Sequence, residues 1–206
     1  MLSHFFWDFD GTLFDTYPAI SRACVEVLSR FGVRLSPEEA LRDTQISWGY
    51  ALDLYRQRYQ LDDSIIAMVH DLRRQLEEEM ARPFPGAREA LEGVLTRGGK
   101  HYLYTHRDKS ALFFLRRFDL YDCFTDFVTS EHGFPRKPRP DALLYLMERH
   151  GIPPENAVMI GDREIDLISG KNAGCFSCWF GEEEKRPSCA DFSISRLEDV
   201  LLLQKD

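Results

Sequence analysis

No stretch of this 206-residue chain approaches the ~20 consecutive apolar residues that a bilayer-spanning helix requires, which excludes that kind of membrane-embedded architecture. The opening Met-Leu-Ser-His lacks the basic flank and small-residue cleavage site of a secretory leader, so a cytoplasmic location is expected. Basic charge is also scarce: 26 Lys and Arg face 34 Asp and Glu, for a formal net charge of −8. Phosphate backbones and anionic headgroups attract basic patches, so neither a nucleic acid nor a membrane surface is an expected partner. Cysteines number five, an odd and scattered set unsuited to a disulfide framework. Cys175 and Cys178 have redox or zinc spacing, yet no second pair or histidine cluster completes a site. They lie in an apolar run, Cys175 to Phe180, that reads as a strand, so free buried thiols are expected. There are no internal repeats and no low-complexity segment. With 44% hydrophobic residues, the chain is rich enough for one substantial core and a small accessory domain.

What is present starts near the amino terminus. Phe5-Phe6-Trp7 is wholly apolar and gives way to Asp8-Phe9-Asp10-Gly11-Thr12. Continuous apolar runs suit a strand buried on both faces of a parallel sheet. Ligands gather at the carboxyl ends of such strands, where Asp8 and Asp10 would sit. Asp-Gly is also ordinary turn chemistry, but a turn needs one Asp. Two carboxylates flanking a single Phe repel each other unless positive charge lies between them, and a divalent cation is the natural answer.

Beyond Asp10 the period changes to three and four. Ala19, Ile20, Ala23, Cys24, Val27, Leu28 and Phe31 mark an amphipathic helix from about Tyr17 to Phe31, stopped by Gly32. Ser36-Pro37-Glu38-Glu39 is a capping box with proline at the first helical position. A third helix is expected over Trp48 to Tyr59, and Asp62 caps a fourth that carries Ile65, Ile66, Val69, Leu72, Leu76 and Met80. From residue 15 to about 82 nothing reads as a strand. After Pro83-Phe84-Pro85-Gly86, strands and helices alternate. Strands are expected at 101–105, 126–129, 157–160, 175–180 and 191–194, and helices at 87–96, 109–118, 140–150 and 164–173, with one more at the carboxyl end. This alternation implies an α/β fold, a doubly wound parallel sheet of Rossmann-like type, interrupted after its first strand by an all-helical insert.

Three further elements fall at predicted strand ends or in the loops beside them. Thr105 ends Tyr102-Leu103-Tyr104-Thr105, and its hydroxyl could donate to a phosphate oxygen, although β-branched Thr is common in strands anyway. Arg136-Lys137-Pro138-Arg139-Pro140 concentrates three cations within four residues, stiffened by two prolines. It is a solvated basic turn on its own terms, and otherwise a stiff loop holding a lysine against phosphate. Val158-Met159-Ile160-Gly161-Asp162 ends another apolar strand, and Asp166 follows one helical turn later, although either Asp alone could be a helix cap.

Taken in order, Asp-x-Asp-Gly-Thr, the strand-end Thr, Lys-Pro and Gly-Asp-x-x-x-Asp resemble the motif set of the haloacid dehalogenase superfamily. The likeness is to phosphatase-type members with a helical cap, the phosphoglycolate phosphatase and β-phosphoglucomutase-like subgroup. It covers the core and implies domains of 1–14 with 83–206 for the core and 15–82 for the cap. The resemblance implies a Mg²⁺-dependent phosphatase acting on a small phosphorylated metabolite. Asp8 would be the nucleophile, and Asp10 the acid and then the base. Gly11, Thr105, His106 and Lys137 would bind the phosphoryl group. The metal set would be Asp8, Asp10 through its backbone carbonyl, Asp162, and Asp166 directly or through water. One departure concerns Thr105-His106-Arg107, because many relatives carry Asn after the threonine.

Three competing readings share the core. A dehalogenase needs no metal, and Asp10 and Asp162 count against it. A β-phosphoglucomutase-type phosphomutase, the main alternative, would draw on a basic cluster in the cap, yet Thr44 to Tyr55 contains no Arg or Lys. A silent binding protein would be expected to have lost a nucleophile or ligand, and none is lost here. The substrate and the oligomeric state are not written in the pattern.

Overall fold

The computed structural model describes residues 1–204, and the chain divides into two compact units, residues 1–13 with 83–206 and residues 14–82. The first unit is built on a six-stranded sheet in the order β5-β4-β1-β6-β7-β8. Its strands are β1 (His4–Trp7), β4 (Lys100–Tyr104), β5 (Phe124–Val128), β6 (Ala157–Gly161), β7 (Phe176–Phe180) and β8 (Phe192–Ile194). Every neighbouring pair runs parallel. β1 is central, with Trp7 opposite Leu103 on one side and Ile160 on the other. Phe5, Phe6 and Trp7 are fully buried, as a strand covered on both faces demands. The chain leaves β1 toward β4 on one flank and returns to β6 on the other, so the strand order reverses at β1. Open α/β sheets bind ligands at such a point, beyond the carboxyl ends of the strands.

The helices of this unit are α5 (Ala87–Thr96), α6 (Ser110–Arg117), α7 (Asp141–His150) and α8 (Glu164–Asn172). α7 closes one face through Ala142, Leu143, Leu146 and Met147, which pack with Phe6, Tyr102, Tyr104 and Met159. A buried histidine ties β1 to β4 and α5. The Trp7 indole donates to His101 Nδ1 at 2.9 Å, and Nε2 lies 3.0 Å from the Leu91 carbonyl. An indole N–H only donates, so Nδ1 must be the unprotonated nitrogen and Nε2 the donor to Leu91. Burial pushes the pKa of His101 down to about 4.

The second unit contains α1 (Tyr17–Arg30), α2 (Pro37–Ile46), α3 (Trp48–Tyr59) and α4 (Asp63–Met80). α1 packs against α2 and α4 around Ala23, Cys24, Val27, Leu28, Leu52, Tyr55, Ile66, Val69 and Leu76. The caps follow from side-chain chemistry: Ser36, Ser47 and Asp62 each accept a backbone N–H from three residues on.

Two features differ from the sequence expectation. Phe14–Asp15 (β2) and Arg82–Pro83 (β3) pair as a two-stranded ribbon, where residues 15 to 82 read as strandless. Strands two residues long have no period to detect. The carboxyl-terminal helix is a 3₁₀ helix, Leu197–Leu203, in which Leu197 and Val200 are buried. Apolar residues three apart match its three residues per turn better than an α-helix. The five cysteines are all free; Cys175 and Cys178 are buried, and burial pushes both thiols up to about 12. Among the described residues, no helix is long and apolar enough to cross a membrane.

Candidate active site

Three strand ends, one loop and the start of α8 in the first unit supply the site. Asp8 follows β1 directly, and its backbone N–H still donates to Ile160 at 3.0 Å, so the carboxylate leaves the sheet at a fixed height. The chain then turns, with the Leu13 N–H donating to the Phe9 carbonyl at 3.1 Å. Gly11 adopts φ 79° in this turn, a conformation that costs a glycine nothing. Thr105 follows β4, anchored by its N–H to the Val128 carbonyl at 3.0 Å. Asp162 follows β6, and Asp166 lies in the first turn of α8.

Carboxylate oxygens of Asp8, Asp162 and Asp166 lie within 4.8 Å of one another. Lys137 threads between two of them. Its Nζ donates to Asp8 Oδ1 at 2.7 Å and to the Tyr104 carbonyl at 2.8 Å, and forms an ion pair with Asp166 Oδ1 at 2.8 Å. Burial alone would lower the pKa of Lys137, but Asp166 and Asp8 outweigh it and hold the group above its ordinary value. Asp8 Oδ2 is buried with no hydrogen-bond partner. Arg163 Nη2 lies 3.8 Å from that oxygen, beyond hydrogen-bond distance. Asp8 and Asp162 are both pushed above the usual carboxylate range, by burial first and then by neighbouring carboxylates. Asp162 retains some solvent exposure, but protein atoms enclose most of it. One lysine does not neutralise three clustered carboxylates, and a hard oxygen set with surplus negative charge is what a small divalent cation requires.

Supporting contacts fix these groups. The Thr12 hydroxyl donates to Asp162 Oδ1 at 2.9 Å. Asp166 Oδ2 accepts the Arg163 backbone N–H at 3.1 Å, and Oδ1 makes an ion pair with Lys137 without a hydrogen bond. A Cβ on Gly161 would sit 2.3 Å from the Asp166 Cβ, which makes a side chain at 161 incompatible with this placement.

The Thr105-His106-Arg107 segment resolves into three roles. Thr105 Oγ1 accepts the Arg107 backbone N–H at 3.0 Å, which leaves its own proton to donate. The His106 side chain turns toward the Lys137 loop, where Nε2 accepts the Lys137 N–H at 2.8 Å. A neutral imidazole has one acceptor nitrogen, so Nδ1 carries the proton and its 3.4 Å approach to Arg136 Nε is a crowded contact, not a hydrogen bond. Burial, then Lys137 and Arg136, drive the pKa of His106 down to about 2. Arg107 turns to Asp10: Nη2 is 2.5 Å from Oδ1, and Nε is 3.1 Å from Oδ1 and 3.2 Å from Oδ2. The Asp10 carboxylate is accordingly not one of the three clustered ones.

Sequence reasoning did not single out Thr12 or Arg163 and left Arg107 unassigned. Thr12 is part of Asp-x-Asp-Gly-Thr, which was the available signal. The arginines carry no signal of their own, because an arginine beside a motif is as often solvated as buried.

The chain belongs to the haloacid dehalogenase-like hydrolase family, whose model matches residues 5–180. It is therefore an enzyme of hydrolase type, built on the α/β fold of that family. It is 29% identical to a phosphoglycolate phosphatase of Vibrio vulnificus, over 96% of this chain and 95% of that protein. A phosphorylated carbohydrates phosphatase of Thermotoga maritima is 29% identical over 82% of this chain and 80% of its own length. Among solved structures, a HAD-superfamily hydrolase, subfamily IA, variant 1, from Geobacter sulfurreducens aligns with a TM-score of 0.79 at 25% identity, covering 98% of this chain and all of that one.

Proposed function

We propose that the protein is a Mg²⁺-dependent phosphatase that hydrolyses a small phosphorylated metabolite through an aspartyl-phosphate on Asp8. The observation that carries this reading is Asp8 itself, with Oδ1 held by Lys137 and Oδ2 buried without a hydrogen-bond partner inside a carboxylate cluster. An oxygen kept bare in that way is available to attack, and its neighbours are spaced to hold a cation. When bound, Mg²⁺ would supply positive charge to the phosphoryl oxygens and lower the repulsion between phosphate and carboxylates. Asp8, Asp162 and the backbone carbonyl of Asp10 are the residues to hold it. Asp166, whose oxygens already meet Lys137 and the Arg163 N–H, would act from behind them.

In the first half-reaction Asp8 attacks phosphorus as the bond to the leaving oxygen breaks, and Asp10 protonates that oxygen. In the second, Asp10 takes a proton from water, which attacks the aspartyl-phosphate and releases phosphate and free Asp8. Thr105 donates its hydroxyl proton, and Lys137 its charge, to the phosphoryl oxygens. The His106 side chain is committed to the Lys137 loop, so its contribution to phosphate is its backbone N–H, as is that of Gly11. The helical insert, residues 15–82, is proposed as the cap that selects the organic part of the substrate; its support is its place in the chain between the first two motifs. The names of the Vibrio vulnificus and Thermotoga maritima relatives support phosphoglycolate and sugar phosphates as the first substrates to test.

The experiment is a screen of phosphorylated metabolites with Mg²⁺ and with excess chelator, followed by trapping of the phosphoenzyme. Release of phosphate only with metal, with label on Asp8, is expected. Undiminished hydrolysis in chelator, or label on Ser, His or Cys, would overturn the reading. Isomerisation of a hexose 1-phosphate without phosphate release would make the protein a mutase.

A further inference from the structure

Arg107 has a different bonding pattern from the other cations near Asp8. Lys137 faces the carboxylate cluster and Arg163 stands off from it, whereas Arg107 grips the carboxylate of Asp10. Its side chain is 3% exposed, although Asp10 remains 23% exposed. The guanidinium is boxed in on several sides. It stacks over Phe9 at 5.3 Å and Phe114 at 5.9 Å from the ring centres, and Nη1 reaches Ser110 Oγ at 3.5 Å. The backbone is fixed as well, with the Arg107 N–H on Thr105 Oγ1 and its carbonyl accepting from the Ser130 N–H at 2.9 Å. A guanidinium held this firmly by apolar rings and by its own main chain has no freedom to follow a moving substrate. It is suited to holding something else still.

The guanidinium reaches both carboxylate oxygens: Oδ1 takes Nη2 at 2.5 Å and Nε at 3.1 Å, and Oδ2 takes Nε at 3.2 Å. We propose that Arg107 is a positioning residue for the reaction, gripping the Asp10 carboxylate so that it is held in the place from which it gives and takes the proton. The inference rests on the reading of Asp10 as acid and base. Arg107 acts through Asp10, and phosphate binding is left to Thr105 and Lys137. Proton transfer contributes typically 10²–10⁴-fold to such reactions, and a displacement of about 1 Å in a reacting group costs on the order of 10²-fold. Losing the grip should therefore cost less than losing Asp10, and only where a proton must move.

The test compares Arg107→Lys and Arg107→Gln with Asp10→Asn, and builds each Arg107 change into the Asp10→Asn protein. The substrates are p-nitrophenyl phosphate, whose leaving group departs with little help, and phenyl phosphate, whose leaving group needs the proton. The expected result is a roughly 10- to 100-fold loss in kcat on phenyl phosphate for either Arg107 variant. The phosphorylation burst with p-nitrophenyl phosphate should change by less than about threefold, and steady-state hydrolysis should slow as the phosphoenzyme accumulates. In the Asp10→Asn background the Arg107 changes should cost nothing further. Inhibition by fluoroberyllate should be unchanged throughout, and thermal unfolding identifies any variant that has lost its fold. Lysine keeps the charge but cannot fork, so rescue by Arg107→Lys would overturn the proposal. Equal losses in the phosphorylation step on both substrates, or a loss that persists without Asp10, would overturn it too. If Asp10→Asn itself left phenyl phosphate hydrolysis intact, the reading of Asp10 would fail, a result distinct from the failure of Arg107 alone.

Discussion

In the helical unit, Asp43 and Glu77 are buried, and each has a partner of its own. The Tyr55 hydroxyl donates to Asp43 Oδ2 at 3.2 Å, Arg42 Nε lies 3.4 Å from Asp43 Oδ1, and Arg73 pairs with Glu77 at 3.6 Å while stacking over Trp48. At the carboxyl ends of the sheet, Asp8, Asp162 and Asp166 crowd together, and Lys137 bonds two of them. Both arrangements bury charge, which is costly unless it is paired. Pairing one to one is the structural solution, because it leaves little net charge to attract anything. A buried surplus of one sign costs stability and persists when a ligand of opposite sign is part of the working state. The difference between the two units is therefore the evidence that one of them is a site.

The sharpest test of that contrast is Asp8→Asn. A neutral amide cannot attack phosphorus, so turnover should fall by about 10⁴-fold or more, while circular dichroism and thermal unfolding show a folded protein. Residual activity within tenfold of the native protein would mean that the bare Oδ2 is not the nucleophile. Next in size is the metal. Asp162 has a folded pKa above its unfolded value, so in metal-free protein it contributes stability at low pH that is lost as pH rises through the carboxylate range toward the folded pKa. Asp162→Asn removes that penalty, and its amide oxygen can still accept from Thr12. Metal-free Asp162→Asn should then unfold at or above the native temperature at pH 7.5. Saturating Mg²⁺ should raise the native Tm by about 5–10 °C, as about 2.7 kcal/mol at a hundredfold excess over Kd implies, and barely move the variant. Equal Mg²⁺ shifts in both proteins would remove Asp162 from the cation site.

Much of this arrangement was legible before any coordinates. The aromatic run before Asp8 fixed β1 as a two-sided buried strand, and the carboxylates at 8 and 162 had to lie at the same edge of a parallel sheet. Lys137 was legible as a cation near phosphate, but its two carboxylate partners were not, because residues 8, 137 and 166 meet only through tertiary packing. For the same reason the Arg107–Asp10 pair could not be read from sequence. His106 was read for its residue type and position, and only the structure shows its ring turned to the Lys137 backbone. The β2–β3 ribbon and the 3₁₀ character of Leu197–Leu203 escaped because both are too short or too irregular for periodicity to register.

A smaller effect separates buried neutral groups from buried charges. His101 is held neutral in the fold with a pKa near 4, against 6.5 for an unconstrained imidazole. The unfolded chain therefore binds more protons between those values, and stability falls as pH drops from about 6.5 toward 4. The slope from this one residue is at most about 1.4 kcal/mol per pH unit. Denaturant midpoints at pH 7, 6 and 5, measured with excess chelator, should show the slope in the native protein. A His101→Gln variant should show a shallower one, even if its midpoint is lower at every pH. An unchanged slope would mean that other groups dominate this window, with the site carboxylates acting in the opposite sense.

The smallest expected effect tests the paired side of the comparison. Tyr55→Phe removes one donor from Asp43 and leaves Arg42 beside it, so the loss should be about 1 kcal/mol, or a Tm lower by about 2–4 °C. Because that network belongs to the helical core and binds nothing on this reading, kcat on p-nitrophenyl phosphate should stay within twofold of native. Asp43→Ala should leave kcat alike, and the double variant with Tyr55→Phe should cost less than the two single losses added together, since each single change already breaks the same hydrogen bond. If either single change instead removed activity as thoroughly as a change at Asp8 while the fold survived, one-to-one pairing would no longer mark a purely structural charge. The helical unit would then hold a chemical group of its own.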